Sequence, residues 1–240
     1  MKEKLQNYFQ EVLSTPMKRK GFLKYTAFTG AAALVGVGLP ACRKEHGSSS
    51  SSGTIDVGAG DTGILNFAYA LEQLEAAFYI KVNASFYTNA TAAEMAILSD
   101  IMNHEIAHRD FFKAALGTSA IGTLTADFSA VDFTNRTSVL ATAKALEDTG
   151  VSAYNGAGQY IQSADYLTIA GKIVSVEARH ASAIRDLINP LSADFAGDDV
   201  VSATTGLDFS RTPNSTTGGP SIVATANTFL TTKISAAQLP

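Results

Sequence analysis

The chain has 240 residues and a net charge of −4, with 46% hydrophobic and 17% charged side chains. That apolar content exceeds what a disordered chain carries, and the length suits one large domain or two small ones. Its single cysteine has no partner within the chain, which excludes a disulfide framework.

Lys18, Arg19, Lys20 and Lys24 precede an apolar run, Tyr25–Leu39, dominated by Ala, Gly, Val and Leu. The run falls short of the roughly 20 apolar residues a bilayer requires, and only one of its flanks is basic. It ends in Leu39-Pro40-Ala41-Cys42, which resembles a bacterial lipoprotein signal whose cysteine is acylated and becomes the first mature residue. Arg19-Lys20-Gly21-Phe22-Leu23-Lys24 is similar to a twin-arginine export signal with one arginine replaced by lysine. Met17 is then a second candidate start. The resemblance implies a leader and signal over residues 1–42. It also implies an exported product, periplasmic or held at the outer membrane by a lipid on Cys42. A buried anchor helix or a lone reduced thiol is the plainer alternative. Residues 1–42 hold six of the 18 basic and two of the 22 acidic side chains, so the remainder carries −8. Such a balance argues against nucleic acid and anionic membrane surfaces as partners and favours cations. Residues 43–60, with a serine run between Gly47 and Gly53, read as a flexible linker, so the folded domain is expected near Asp61.

Four segments then carry helical periodicity. The first, from about Thr62 to Phe86, has the stripe Leu65, Ala68, Glu72, Glu75, Tyr79 and Val82. The second opens at Thr91, with Glu94 placed for a capping box, and stops at Gly117; its stripe is Leu98, Ile101, Glu105, His108 and Phe112. The third runs from Arg136 to Gln162 through Leu140, Ala143, Glu147, Gly150, Tyr154, Ala157 and Ile161. The fourth starts near Ser163 or Asp165 and is stopped by Pro190; its stripe is Ala170, Ile173, Glu177, His180, Ile184 and Leu187. Short connections make helices one and two, and three and four, antiparallel hairpins. The long segment Gly117–Asn135 allows a single crossover, with helix three parallel to helix two. The expected fold is an all-α four-helix bundle over residues 61–190. Residues 191–240 follow as an extension packed on it, irregular to about 220, with a short helix or strand within Ser221–Ile234.

Each hairpin repeats one pattern: Leu71-Glu72 to Tyr79 then Glu105-Ile106-Ala107-His108, and Leu146-Glu147 to Tyr154 then Glu177-Ala178-Arg179-His180. Glutamate and histidine three residues apart share a helix face. All these acids fall on the apolar stripes, where ionised carboxylates are expensive unless paired or bound to metal. Basic residues are nearly absent from those stripes, so divalent cations are the expected partners. One Glu from each of two helices and Glu-x-x-His from each of the others build a di-metal carboxylate site. The candidate ligands are Glu72, Glu105, His108, Glu147, Glu177 and His180, with Glu105 and Glu177 bridging. Carboxylate and imidazole without thiolate suit iron or manganese, with zinc also compatible. Glu75, one turn from Glu72, is an extra ligand, a gate or a hydrogen-bond partner; its repeat counterpart is Gly150. Tyr79 and Tyr154 are either core tyrosines or outer partners of the ligand carboxylates. Gly150, Gly156 and Gly158 weaken helix three unless close approach needs them. His104-Glu105-x-x-His108 also spells the zinc-metallopeptidase motif, but that reading leaves Glu72, Glu147, Glu177 and His180 unexplained.

These residues resemble the ferritin-like superfamily, and more closely the exported bacterial ferritin-like domains grouped with desiccation-related proteins. The likeness lies in Leu65-Asn66-Phe67-Ala68 through Leu71 to Tyr79, in His104 to His108, in Leu146 to Tyr154 and in Val176 to Ala181. It implies two iron ions that react with dioxygen or peroxide, as in a ferroxidase-like oxidoreductase. A homodimer is compatible with it, whereas a storage cage is not expected beside a lipid anchor and a long tail. The competing class is a non-catalytic structural or stress bundle.

Overall fold

A computed structural model of the chain describes residues 53–240, apart from residues 203, 205 and 218. The signal segment, Cys42 and most of the serine-rich stretch lie outside the described residues. Four long helices form the body: α1 (Gly60–Ala84), α2 (Ala92–Leu116), α3 (Arg136–Gly158) and α4 (Ala164–Ile188). Their starts follow from local side chains that satisfy otherwise unpaired N–H groups. Thr91 and Glu94 form the full capping box at α2, Asn135 accepts from the Ser138 N–H at α3, and Ser163 accepts from Tyr166 at α4. Gly117, with φ of 55°, closes α2.

The third helix stops at Gly158, short of the expected Gln162. The Asp61 carboxylate, at the start of α1, accepts the N–H groups of Gln162 and Ser163 at 2.8 and 2.9 Å. Those residues therefore serve as a turn tied to α1 rather than a further helical turn.

α1 packs against α2 and α3, and α4 packs against α3 and α2. Leu71, Leu74, Phe78, Leu98, Ile101, Val139, Leu140, Leu146 and Ile184 share one core. The crossover between α2 and α3 belongs to it: buried Phe128 meets Phe78 edge to face at 5.6 Å. Two buried amides on α1 hold this connection. The carboxamide of Asn66 accepts from the Ile121 N–H and donates to the Ser119 carbonyl, and the Gln73 carboxamide accepts from the Leu124 N–H.

The folded body begins earlier than Asp61. β1 (Thr54–Asp56) pairs in parallel with β2 (Lys233–Ser235), placing Ile55 opposite Ile234, and Val57 is buried. Residues 54–57 are thus structure, not linker. The tail contributes both a helix, α5 (Ile222–Thr228), and β2; its Ile222, Leu230, Ile234 and Leu239 join the bundle core. A backbone bridge joins Ala126 of the crossover to Leu230. Among the described residues, no helix is long and apolar enough to cross a membrane.

The glycines of α3 differ in purpose. A Cβ on Gly156 would sit 1.9 Å from the Arg211 carbonyl oxygen, because the Arg211 N–H donates to the Ser152 carbonyl and lays the tail on the helix. Gly158 has nothing within 4 Å, so close approach does not account for it. Gly156→Ala is therefore expected to destabilise by about 1–3 kcal/mol through overpacking. Gly158→Ala should stabilise by up to about 1 kcal/mol through helix propensity. Urea unfolding of the two variants checks this; a stabilised Gly156→Ala would show that the tail does not dock there.

Candidate metal centre

The four stripes bring their acids to one place. Glu72, Glu105, Glu147 and Glu177 are fully buried, Glu75 is 2% exposed and His180 is 4% exposed. The ligand-capable atoms form two quartets, each within 4.8 Å: Glu72, Glu105, His108 and Glu177, and Glu105, Glu147, Glu177 and His180. Glu105 and Glu177 belong to both. All six residues singled out as ligands in the sequence therefore meet, one per helix from α1 and α3 and two each from α2 and α4.

Both imidazoles turn Nδ1 inward. His108 Nδ1 lies 2.8 Å from Glu177, 3.4 Å from Glu72 and 3.5 Å from Glu105. His180 Nδ1 lies 2.7 Å from Glu105, 3.4 Å from Glu147 and 3.8 Å from Glu177. These are ion-pair distances, but neither nitrogen meets hydrogen-bond geometry with a carboxylate. Among the described residues, no lysine or arginine pairs with any of the five glutamates. The one buried arginine among the described residues, Arg185, pairs instead with Asp148 and Asp199.

Two tyrosines cross between hairpins. Tyr79 donates to Glu147 at 2.5 Å, and Tyr154 donates to Glu72. Each tyrosine lies two turns after the glutamate of its own helix yet reaches the glutamate of the other. That reciprocity requires α1 and α3 to be antiparallel. With α2 antiparallel to α1, α3 runs parallel to α2, as a single crossover demands.

Glu75 lies beside the quartets without belonging to either. A Cβ on Gly150 would meet Glu75 Oε1 at 3.0 Å and Glu177 Oε2 at 3.6 Å. The glycine at that register makes room for a fifth carboxylate. His104 joins neither quartet: it is exposed, and its ring stacks on His180 with centroids 5.1 Å apart and planes at 13°. The paired zinc ligation that an H-E-x-x-H peptidase requires is not formed.

Burial and the surrounding negative charge push Glu75 well above the carboxylate range. Burial raises Glu147 to about 7, and burial with the Glu177 charge raises Glu105. Burial would also raise Glu177, but the two imidazoles outweigh it and hold that carboxyl at about 2. Burial would lower His180, but Glu105, Glu147 and Glu177 lift it to about 12, and His108 is raised in the same way.

The signs set a pH dependence. Raised carboxyls and imidazoles contribute stability that is complete below their unfolded values, near 4.5 and 6.5, and is lost as pH rises toward their folded ones. Within the cluster Glu177 works the other way, losing its share as pH falls from 4.5 toward 2. Metal-free protein should therefore melt lower at about pH 8.5 than at about pH 5.5, and a divalent cation, which displaces these protons, should raise the midpoint most at the higher pH. Calorimetry at the two pH values checks this, and a metal-free midpoint that rises with pH would reject it.

No curated protein matches the chain. The family model for the ferritin-like domain covers residues 60–190, from the start of α1 to just past α4, and spans all four ligand-bearing helices. By that match and by its helical architecture, this chain belongs to the ferritin-like domain family.

Proposed function

We propose that this chain is an exported, lipid-anchored di-iron carboxylate protein that oxidises ferrous iron with dioxygen or peroxide in the cell envelope. The observation that carries the reading is the set of buried donor atoms left without hydrogen-bond partners. Of twelve such side-chain atoms among the described residues, nine belong to Glu72, Glu75, Glu105, His108, Glu147, Glu177 and His180. Stranding one polar group costs about 1–3 kcal/mol, more if charged, so nine at one point call for a cation. Carboxylate and imidazole donors without thiolate suit iron or manganese, and zinc less specifically.

In this reading His108 and Glu72 hold one ion, and His180 and Glu147 hold the other. Glu105 and Glu177, common to both quartets, would serve both ions. Bound ferrous ions would supply the electrons for reducing dioxygen or peroxide. The protein's own part is to fix the ligands and limit water. Tyr79 and Tyr154 orient Glu147 and Glu72 through their hydroxyls. Glu75 stands above Gly150 as a spare carboxylate beside the two quartets, outside the ligand set of either. A small apolar cavity of about 30 Å³ is lined by Leu65, Ala68, Phe112 and Ile169 and by Tyr154, the tyrosine that contacts Glu72. Export and anchoring rest on the sequence of residues 1–42 and on Cys42.

Protein purified without chelators should contain two irons per chain. After anaerobic ferrous loading, admission of air should consume ferrous ion at least about tenfold faster than in buffer, and Glu105→Ala or His180→Ala should abolish the difference. Ferrous loss no faster than in buffer rejects the redox reading. Because the ligands come from all four helices, bound metal without turnover would leave the second reading, a bundle clamped by its ions.

A further inference from the structure

The first histidine of the H-E-x-x-H motif is left over once zinc peptidase chemistry is set aside, because it belongs to neither ligand quartet. His104 is nonetheless placed with care. Its Nδ1 lies 2.8 Å from Nε2 of His180, across the interface between α2 and α4. The other nitrogen of His180, Nδ1, faces Glu105, Glu147 and Glu177. A nitrogen that binds a cation carries no proton. On a neutral imidazole the proton must then sit on Nε2, and there it points at His104 Nδ1, which accepts it. A ligating histidine whose outer N–H is held by a fixed acceptor has its tautomer and ring orientation set in advance.

The two halves of the pseudo-repeat differ at this position. The residue before Glu105 is His104; the residue before Glu177 is Val176, which offers no acceptor. His108 therefore lacks the partner that His180 has from the matching place.

We propose that His104 is a positioning residue for His180: it accepts the Nε2–H bond, holds Nδ1 toward the carboxylates, and makes the quartet of Glu105, Glu147, Glu177 and His180 the tighter of two unequal metal positions. This rests on the metal-centre reading above and adds an order of filling to it. His104 touches neither ion and acts only through His180.

The test uses Zn²⁺ as probe on the full chain, titrated in competition with a chromophoric chelator. Wild type should bind two ions with separable affinities. His104→Leu should weaken the tighter step by about 10–100-fold and bring the two steps together. His104→Asn, whose side-chain oxygen can stand where Nδ1 stood, should stay within about threefold of wild type. In ¹⁵N-histidine-labelled, zinc-loaded protein, His180 should show a metal-bound Nδ1 and a protonated Nε2. Unchanged zinc binding in His104→Leu, a His104→Asn variant as weak as the leucine one, or a His180 proton on Nδ1 would each overturn the proposal while leaving the metal centre standing. Wild type that takes up no zinc would overturn both. His104 is exposed, so neither variant removes core packing, and circular dichroism verifies the helices.

Discussion

Five carboxylates closed into a buried interior, with two imidazoles as their only basic neighbours among the described residues, are the constraint around which the rest of this molecule is arranged. Burial raises the energy of each ionised oxygen, and neighbouring negative charges raise it further. The cluster answers in three ways. Histidine nitrogens approach from α2 and α4, tyrosine hydroxyls donate from the opposite hairpins, and burial shifts Glu75, Glu105 and Glu147 toward their protonated forms. None of these fully satisfies the oxygens, and a divalent cation does so more completely than a proton because it coordinates several at once.

The same cluster ties the helices in register. A shift of one residue along α1 would swing Glu72 by about 100° and separate it from Tyr154 and His108. The reciprocal tyrosine bonds lock α1 against α3, and the two Glu-x-x-His faces lock α2 against α4. Gly150 shows how tight the fit is, since a methyl group at that position would press on the Glu75 carboxylate.

Around this centre the coverage is unequal. α1 is buried on nearly all sides from Gly63 to Ala76, including its polar Asn66, Glu72, Gln73 and Glu75. One outer face is covered by the crossover, held through Asn66 and Gln73, and the Asn66 carboxamide also donates to the carbonyl of Val57, just after β1. α4 buries little more than the face bearing Ile173, Glu177, His180 and Ile184, and the tail reaches the hairpin on the other side through Arg185 and Gly156. From Ile222 to Leu239 the tail is part of the core, whereas Leu191, Phe195, Leu207 and Phe209 before it are exposed.

The local chain carried much of this openly. Helix periodicity, the Thr91–Glu94 cap and the stop at Gly117 are short-range effects, readable because the residues that cause them are sequence neighbours. The inward placement of Glu72, Glu105, His108, Glu147, Glu177 and His180 was equally legible, since each lies on an apolar stripe whose direction helix geometry dictates. Where the third helix would end was not legible, because Asp61 decides it from a hundred residues away. Nor was the three-residue strand at Thr54, whose partner is at the other end of the chain. His104 looked like half of a zinc pair; only the packing of α2 on α4 turned it toward His180. By itself the sequence determined which side chains face inward and what chemistry they can offer, because those properties depend on composition and a helical period. The tertiary structure decided which tyrosine meets which glutamate, what Gly150 and Gly156 make room for, and which histidine stands outside the cluster, because those depend on distances between segments far apart in the chain.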